Sequence, residues 1–331
     1  MATIDMTPYA TIQDALDDNT YDGTNGDTFV FPDGWASTEP ASLTVATYGK
    51  PLTIGTSNPP IHFVRETTTA EVTVNFGNIS LFTNNLFGGG FTCDGINFVN
   101  TAVGGALAAF STSNSVPAVF RRCAVQATAP YGSYAYYGRS RVLFDECYFK
   151  NLILCFRDYN WIANNCVFDG TANFTTATYG DIYNCLFING ADPSFAGDTR
   201  FNTKFINNTI IGSGSGTGLT LSHGFISNNL IVDFAVGIDD GVTTYQHYLF
   251  LKNNAFWGCA TKTTVNALSE TGTTELVRDP FPTPGIYVPD MDPIPEYVGF
   301  DPTKISKSAY AGAWPLAGGS STSFNRLGVT Y

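Results

Sequence analysis

The chain has 331 residues, of which 44% are hydrophobic and only 13% charged, and a net charge of -12. That leaves ample apolar material for a long core and excludes a wholly disordered chain. The acidic balance argues against a nucleic-acid or anionic-membrane partner, because phosphate neutralisation needs clustered Lys and Arg, and no apolar run reaches the roughly 18 to 20 residues that a membrane-spanning helix requires.

Glycine is abundant, at 33 residues, and Asn and Thr are plentiful while long Leu/Ala/Glu/Lys stretches are missing. This composition predicts many short strands joined by turns, and few helices. Residues 1–26 read as an N-terminal cap: Thr7 is the expected N-cap of a short helix whose Ile12, Ala15 and Leu16 share one face and cover the open end of the first strand layer. The opening, MATIDMTPYATIQDAL, has no basic stretch followed by an apolar one, so it does not read as a secretory signal and synthesis in a host cytoplasm is expected. The stretches GDTFVFPDG at 26–34 and KPLTIGTSN at 50–58 then read as turn, strand, turn, strand.

Residues 27–265 carry an internal repeat. A polar residue, then Cys or Asn, any residue and a large apolar residue recur as DECYF, NNCVF, YNCLF, INNTI, SNNLI and KNNAF. The anchors are Cys123, Cys147, Cys166, Cys185, Asn208, Asn229 and Asn254, with Ile96 in an earlier copy, at spacings of 19 to 27 residues. Such spacing suits one solenoid rung per copy. Two residues after each anchor stands an inward ladder of Phe98, Val125, Phe149, Phe168, Phe187, Ile210, Ile231 and Phe256. A second ladder, three residues before the anchor, comprises Cys93, Phe120, Phe144, Ala163, Ile182, Phe205, Ile226 and Leu251. The residue just before the anchor is Asn165, Asn184, Asn207, Asn228 and Asn253, a column whose amides can bond from rung to rung at the strand spacing of about 4.8 Å. Asn also tolerates the left-handed backbone of a sharp bend. The cysteines, seven in all, read as small buried core residues of a reducing compartment rather than a disulfide framework or a metal site.

The start of the chain resembles the opening of pectate-lyase-like β-helix proteins, on the strength of Thr11 to Leu16, Gly26 to Thr28 and Lys50 to Ile54. The resemblance covers about residues 7 to 260 and implies an all-β right-handed parallel β-helix with a short N-terminal capping helix. Beyond the repeat, in residues 266–331, Pro280, Pro282, Pro284, Pro289, Pro293, Pro295 and Pro302 exclude helix and central strand. An extended C-terminal segment, packed on the solenoid or on a neighbour, is expected there.

Catalytic chemistry has thin support. Asp239 and Asp240 in GIDDG are the one candidate dyad for polysaccharide cleavage, but His223 precedes them and no Arg-x-Lys follows, so the order that hydrolysis needs is wrong. The acidic run at 14–27 lacks the Glu that closes a calcium loop, and Asp145, Glu146 and Asp169 do not repeat at one rung position. His62, His223 and His247 suggest neither a triad nor a zinc site. No cofactor or metal is expected.

Two features stand out as contact surfaces. Tyr131, Tyr134, Tyr136 and Tyr137 are concentrated among glycines, as at interfaces and sugar platforms. Close by lie Arg121, Arg122, Arg139 and Arg141, with Lys150 and Arg157, a basic cluster suited to an acidic partner surface. A β-helix of this kind, without catalytic acids, resembles structural proteins of tailed bacteriophage particles. That resemblance implies a capsid decoration or cement protein, a homotrimer on the virion surface contacting the major capsid protein or another virion protein. The alternative is a tailspike-like or secreted β-helix protein that binds or cleaves polysaccharide, with a glycan as its ligand.

Overall fold

The computed structural model describes residues 2–22, 25–43, 59–67, 70–77, 79–82, 90–101, 107–112, 118–128, 133–138, 142–152, 154–158, 161–170, 173–175, 180–188, 193–196, 203–221, 223–239, 248–264, 269–271 and 274–275. The expected strand at 50–58 and most of the Pro-rich segment lie outside them. Met1–Trp161 and Ile162–Asp292 make up the bulk of two compact units.

In the first unit, one parallel sheet is built from Ala2–Asp5, Asp27–Phe31, Ile61–Arg65, Phe91–Asp94, Ala118–Arg121 and Val142–Asp145. A second contains Ala36–Thr38, Thr73–Asn75, Asn97–Asn100, Ala124–Ala127 and Tyr148–Lys150. A third holds Leu107–Thr112, Ser133–Gly138 and Leu154–Asp158. The second unit repeats the arrangement. Gly180–Tyr183, Thr203–Ile206, His223–Ser227, Tyr248–Lys252 and Ser269–Thr271 form its first sheet, and Val167–Asp169, Leu186–Ile188, Thr209–Ile211, Leu230–Val232, Ala255–Trp257 and Thr274–Glu275 its second. Its third sheet is Asn173–Thr175, Ser194–Ala196, Thr217–Thr220, Val236–Asp239 and Thr261–Thr263. Strands visit the sheets in turn, and each pairs in parallel with its counterpart one rung away. The protein is a parallel β-helix.

Period-2 alternation explains the strands. Asp27–Phe31 buries every other residue, and the two inward ladders are buried throughout. Phe98 pairs with Val125 and Val125 with Phe149 in the first unit, while Phe187 pairs with Ile210, Ile210 with Ile231 and Ile231 with Phe256 in the second. Rings stack along these columns, as Phe168 on Phe187 with centroids 4.6 Å apart and Phe120 on Phe144 at 5.2 Å. Burial of each such side chain contributes about 1.5–3 kcal/mol.

The bend from the first sheet to the second is a single left-handed residue. It is Gly95, Arg122 and Glu146 in the first unit and Asn165, Asn184, Asn207, Asn228 and Asn253 in the second, all at φ between 51 and 76°. The asparagine column therefore occupies the bend, as its backbone tolerance predicts. Its amides do not carry the main rung-to-rung ladder, however: only Asn207 bonds along the column, to Asn184 at 3.4 Å, while Asn184 turns to Asn164. The ladder runs one residue later, through the buried anchors. Asn208 donates its backbone N–H and its amide to Asn229 Oδ1 at 2.8 and 3.1 Å, and Asn229 does the same to Asn254 Oδ1. Each amide also donates to a carbonyl of the preceding rung, Asn208 to Ile182 and Asn229 to Phe205.

Cysteine anchors perform half of this task. Cys147 donates to the Phe120 carbonyl and Cys185 to that of Ala163, the equivalent position, but a thiol offers no strong acceptor to the neighbouring N–H. Where Asn208 follows Cys185, its Oδ1 takes up the Cys185 N–H at 2.8 Å.

The capping helix spans Ile12–Asp18 and buries Ile12, Ala15 and Leu16. Its N-cap is Thr11 and not Thr7: Thr11 Oγ1 accepts from Asp14 N, and Asp14 accepts from Thr11 N in return, a capping box. Thr7 bonds instead to Asp5, at the end of a strand the sequence reading did not anticipate.

Candidate contact surface

Asp239 closes the strand Val236–Asp239 and accepts from the Thr264 hydroxyl at 2.7 Å, a bond between adjacent rungs. Asp240, the other half of the sequence dyad, lies outside the described residues. In the acidic run, Asp14 caps the helix, Asp22 accepts from Asn25, and Asp27 is buried with its Oδ2 accepting from Asp22 N. Capping and turn formation thus engage Asp14, Asp22 and Asp27, while Asp17 accepts from Gln13 and Asp18 from the Tyr9 hydroxyl. No group of three or more His, Cys, Asp or Glu side chains is placed to hold a metal among the described residues. His62 bonds Thr92 at 2.7 Å, and His223 lies opposite Tyr248; His247 lies outside the described residues.

Of the six cysteines whose side chains are described, five are buried and all six are free thiols. Burial pushes Cys93 and Cys123 well above the ordinary thiol range, which removes the thiolate that nucleophilic or metal chemistry requires. These are core groups.

The basic cluster of the sequence is partly described. Arg121 is exposed, in register between Asp94 and Asp145 on the outward side of the first sheet. Arg122 sits in the left-handed bend and grips Asp94 with both arms of its fork: Nε donates to Oδ1 at 2.9 Å and Nη2 to Oδ2. That bidentate bond is the main cause of its raised pKa. Tyr134, Tyr136 and Tyr137 lie on the strand Ser133–Gly138, opposite Ala108, Phe110 and Ser111. Tyr131, Arg139 and Arg141 fall outside the described residues, as do the side chains of the three strand tyrosines.

One surface feature was missed by the sequence reading. Phe225 and Phe250 are the exposed large hydrophobic residues among those described, 37% and 44% accessible. They are direct register partners on the outward side of the first sheet of the second unit. The next rung places exposed Lys204 opposite Phe225, ion-paired with Asp181 at 3.6 Å, and Lys252 is exposed two residues along from Phe250. The signal was present in HGFIS and YLFLK: both put an aromatic ring between two inward-ladder neighbours, where alternation demands that it face out.

Fold and surface together define a parallel β-helix protein whose polar groups knit rung to rung and whose outer face carries an aromatic pair with two lysines beside it. No protein-family model, no curated protein and no solved structure matches the chain.

Proposed function

We propose that the protein is a structural component of a tailed bacteriophage particle, in particular a capsid decoration protein that docks on the shell and stabilises it. The observation that carries this reading is the Phe225–Phe250 pair with Lys204 and Lys252 beside it, on a chain of net charge -12. Exposed aromatics inside a polar rim are the composition of a protein contact. Described polar groups elsewhere on the rungs support the same reading, because Asp94, Asp181 and Asp239 are each engaged by a neighbouring rung. The partner is the major capsid protein or another virion protein, and the decoration unit is a homotrimer.

Re-addition tests it. Particles from the source are stripped of the chain by mild denaturant and offered purified wild-type protein or the double variant Phe225→Ser/Phe250→Ser. Wild type rebinds and the double variant does not; failure of wild type to bind any particle sinks the reading. A polysaccharide-binding or polysaccharide-cleaving β-helix is the second reading, and release of reducing ends from a host glycan by the purified protein would favour it.

A further inference from the structure

In the second sheet of the second unit, Phe187, Ile210 and Ile231 point into the core, so alternation turns their strand neighbours outward. Those neighbours are mostly apolar, and they are dry: Leu186 is 1% accessible, Ile188 0%, Ile211 2%, Leu230 0% and Val232 0%. The second sheet of the first unit behaves differently. There Val99, Gln126 and Lys150, each following an inward residue, are partly exposed. The three sheets of a β-helix enclose one core, so no described strand of the unit lies over this outer side. The capping helix Ile12–Asp18 belongs to the first unit.

Outward side chains are this dry only under a cover, since a bare sheet face leaves one side of every Ile and Val in water. A second molecule is not required, because the burial is complete within one chain. The last strand of this sheet, Thr274–Glu275, pairs with Ala255–Trp257 and delivers the chain into residues 276–331 at the end of the buried side. At about 3.3 Å per extended residue that stretch spans far more than the roughly 20 Å these rungs occupy. It carries apolar side chains, Phe281, Ile286, Val288 and Trp314 among them, while Pro280 and Pro282 bar it from joining the sheet as a central strand.

We propose that residues 276–331 run back over the outer side of this sheet and cover Ile188, Ile211 and Val232, docking the chain on its own solenoid. The described apolar face left open to a partner is then that of the first sheet, with Phe225 and Phe250. The docking stands independently of the role proposed above.

The test is photo-cross-linking of the full chain with p-benzoylphenylalanine in place of Ile211, followed by peptide mapping. The expected product has the mass of one chain and joins position 211 to a peptide within 276–331. A product joining it to a residue before 276 overturns the proposal, as does a product of two chains or the absence of any cross-link. Circular dichroism shows beforehand whether the variant is folded. If it is not, the same probe at Trp257, the partly exposed register partner of Val232, decides by the same outcomes.

Discussion

Asn229 donates both its backbone N–H and its side-chain amide to one oxygen, Oδ1 of Asn254, at 3.1 and 2.9 Å, while its own Oδ1 accepts the same pair from Asn208. All three residues are buried. Replacing Asn229 by Ala takes the acceptor from the buried Asn208 N–H, which costs about 1–3 kcal/mol, and removes the side-chain donor to the Phe205 carbonyl. Asn229→Cys should cost less, because a thiol can still reach the Phe205 carbonyl as Cys185 reaches that of Ala163. Urea unfolding of the two variants checks the order Asn, Cys, Ala; equal losses would show that the donor to the carbonyl is worth nothing.

Glu146 adopts φ 56° at a bend where the second unit uses asparagine. A left-handed conformation costs an ordinary L-residue about 1–2 kcal/mol, less for Asn. Glu146→Asn is expected to raise stability by about 0.5 kcal/mol, after allowing for its attraction to Arg122. Thermal melts of variant and wild type measure this; a lower midpoint contradicts it.

Glu39 is buried, accepts from Ile12 N at 2.9 Å and from Ser37 Oγ at 2.8 Å, and is pushed above its ordinary pKa of 4.5 by burial, against the pull of those bonds. Asp14 nearby adds to the rise. Since the folded value is the higher one, folding favours the proton: the contribution is full below pH 4.5 and is lost as pH rises through the folded value. The stability of Glu39→Gln relative to wild type should therefore increase as pH climbs from 4.5 towards neutrality. Denaturant midpoints across that range report it, and a constant difference would rule the linkage out.

Cys259 alone among the six cysteines whose side chains are described is not fully buried. Iodoacetamide on the native protein, followed by peptide mapping, is expected to label Cys259 and to spare Cys93, Cys123, Cys147, Cys166 and Cys185. Labelling of the buried five before unfolding would mean that the rungs open readily.

How much of this was legible in the sequence depends on range. The ladders through Phe187 and Ile210 were readable because a period of one rung and alternation along each strand are local rules. The bend asparagines were readable because the left-handed backbone is a property of one residue. Amide direction was not: which of two adjacent asparagines turns its amide inward is decided by the bend itself, and the ladder expected through Asn207 and Asn228 runs through Asn208 and Asn229. Thr7 and Thr11 both head plausible caps, and only Asp14 three residues after Thr11 distinguishes them. Phe225 and Phe250 carry a local signal, since alternation along HGFIS and YLFLK turns both rings outward. The pairing of Arg122 with Asp94 depends on a contact 28 residues apart and has no local signature.

The structural role in a virion is tested most directly by quantitative mass spectrometry of purified particles, with the chain counted against the major capsid protein. A decoration protein is predicted at hundreds of copies per particle, on the order of the capsid protein itself. A handful of copies, or none, would contradict the account and leave the Phe225–Phe250 surface in need of a different partner.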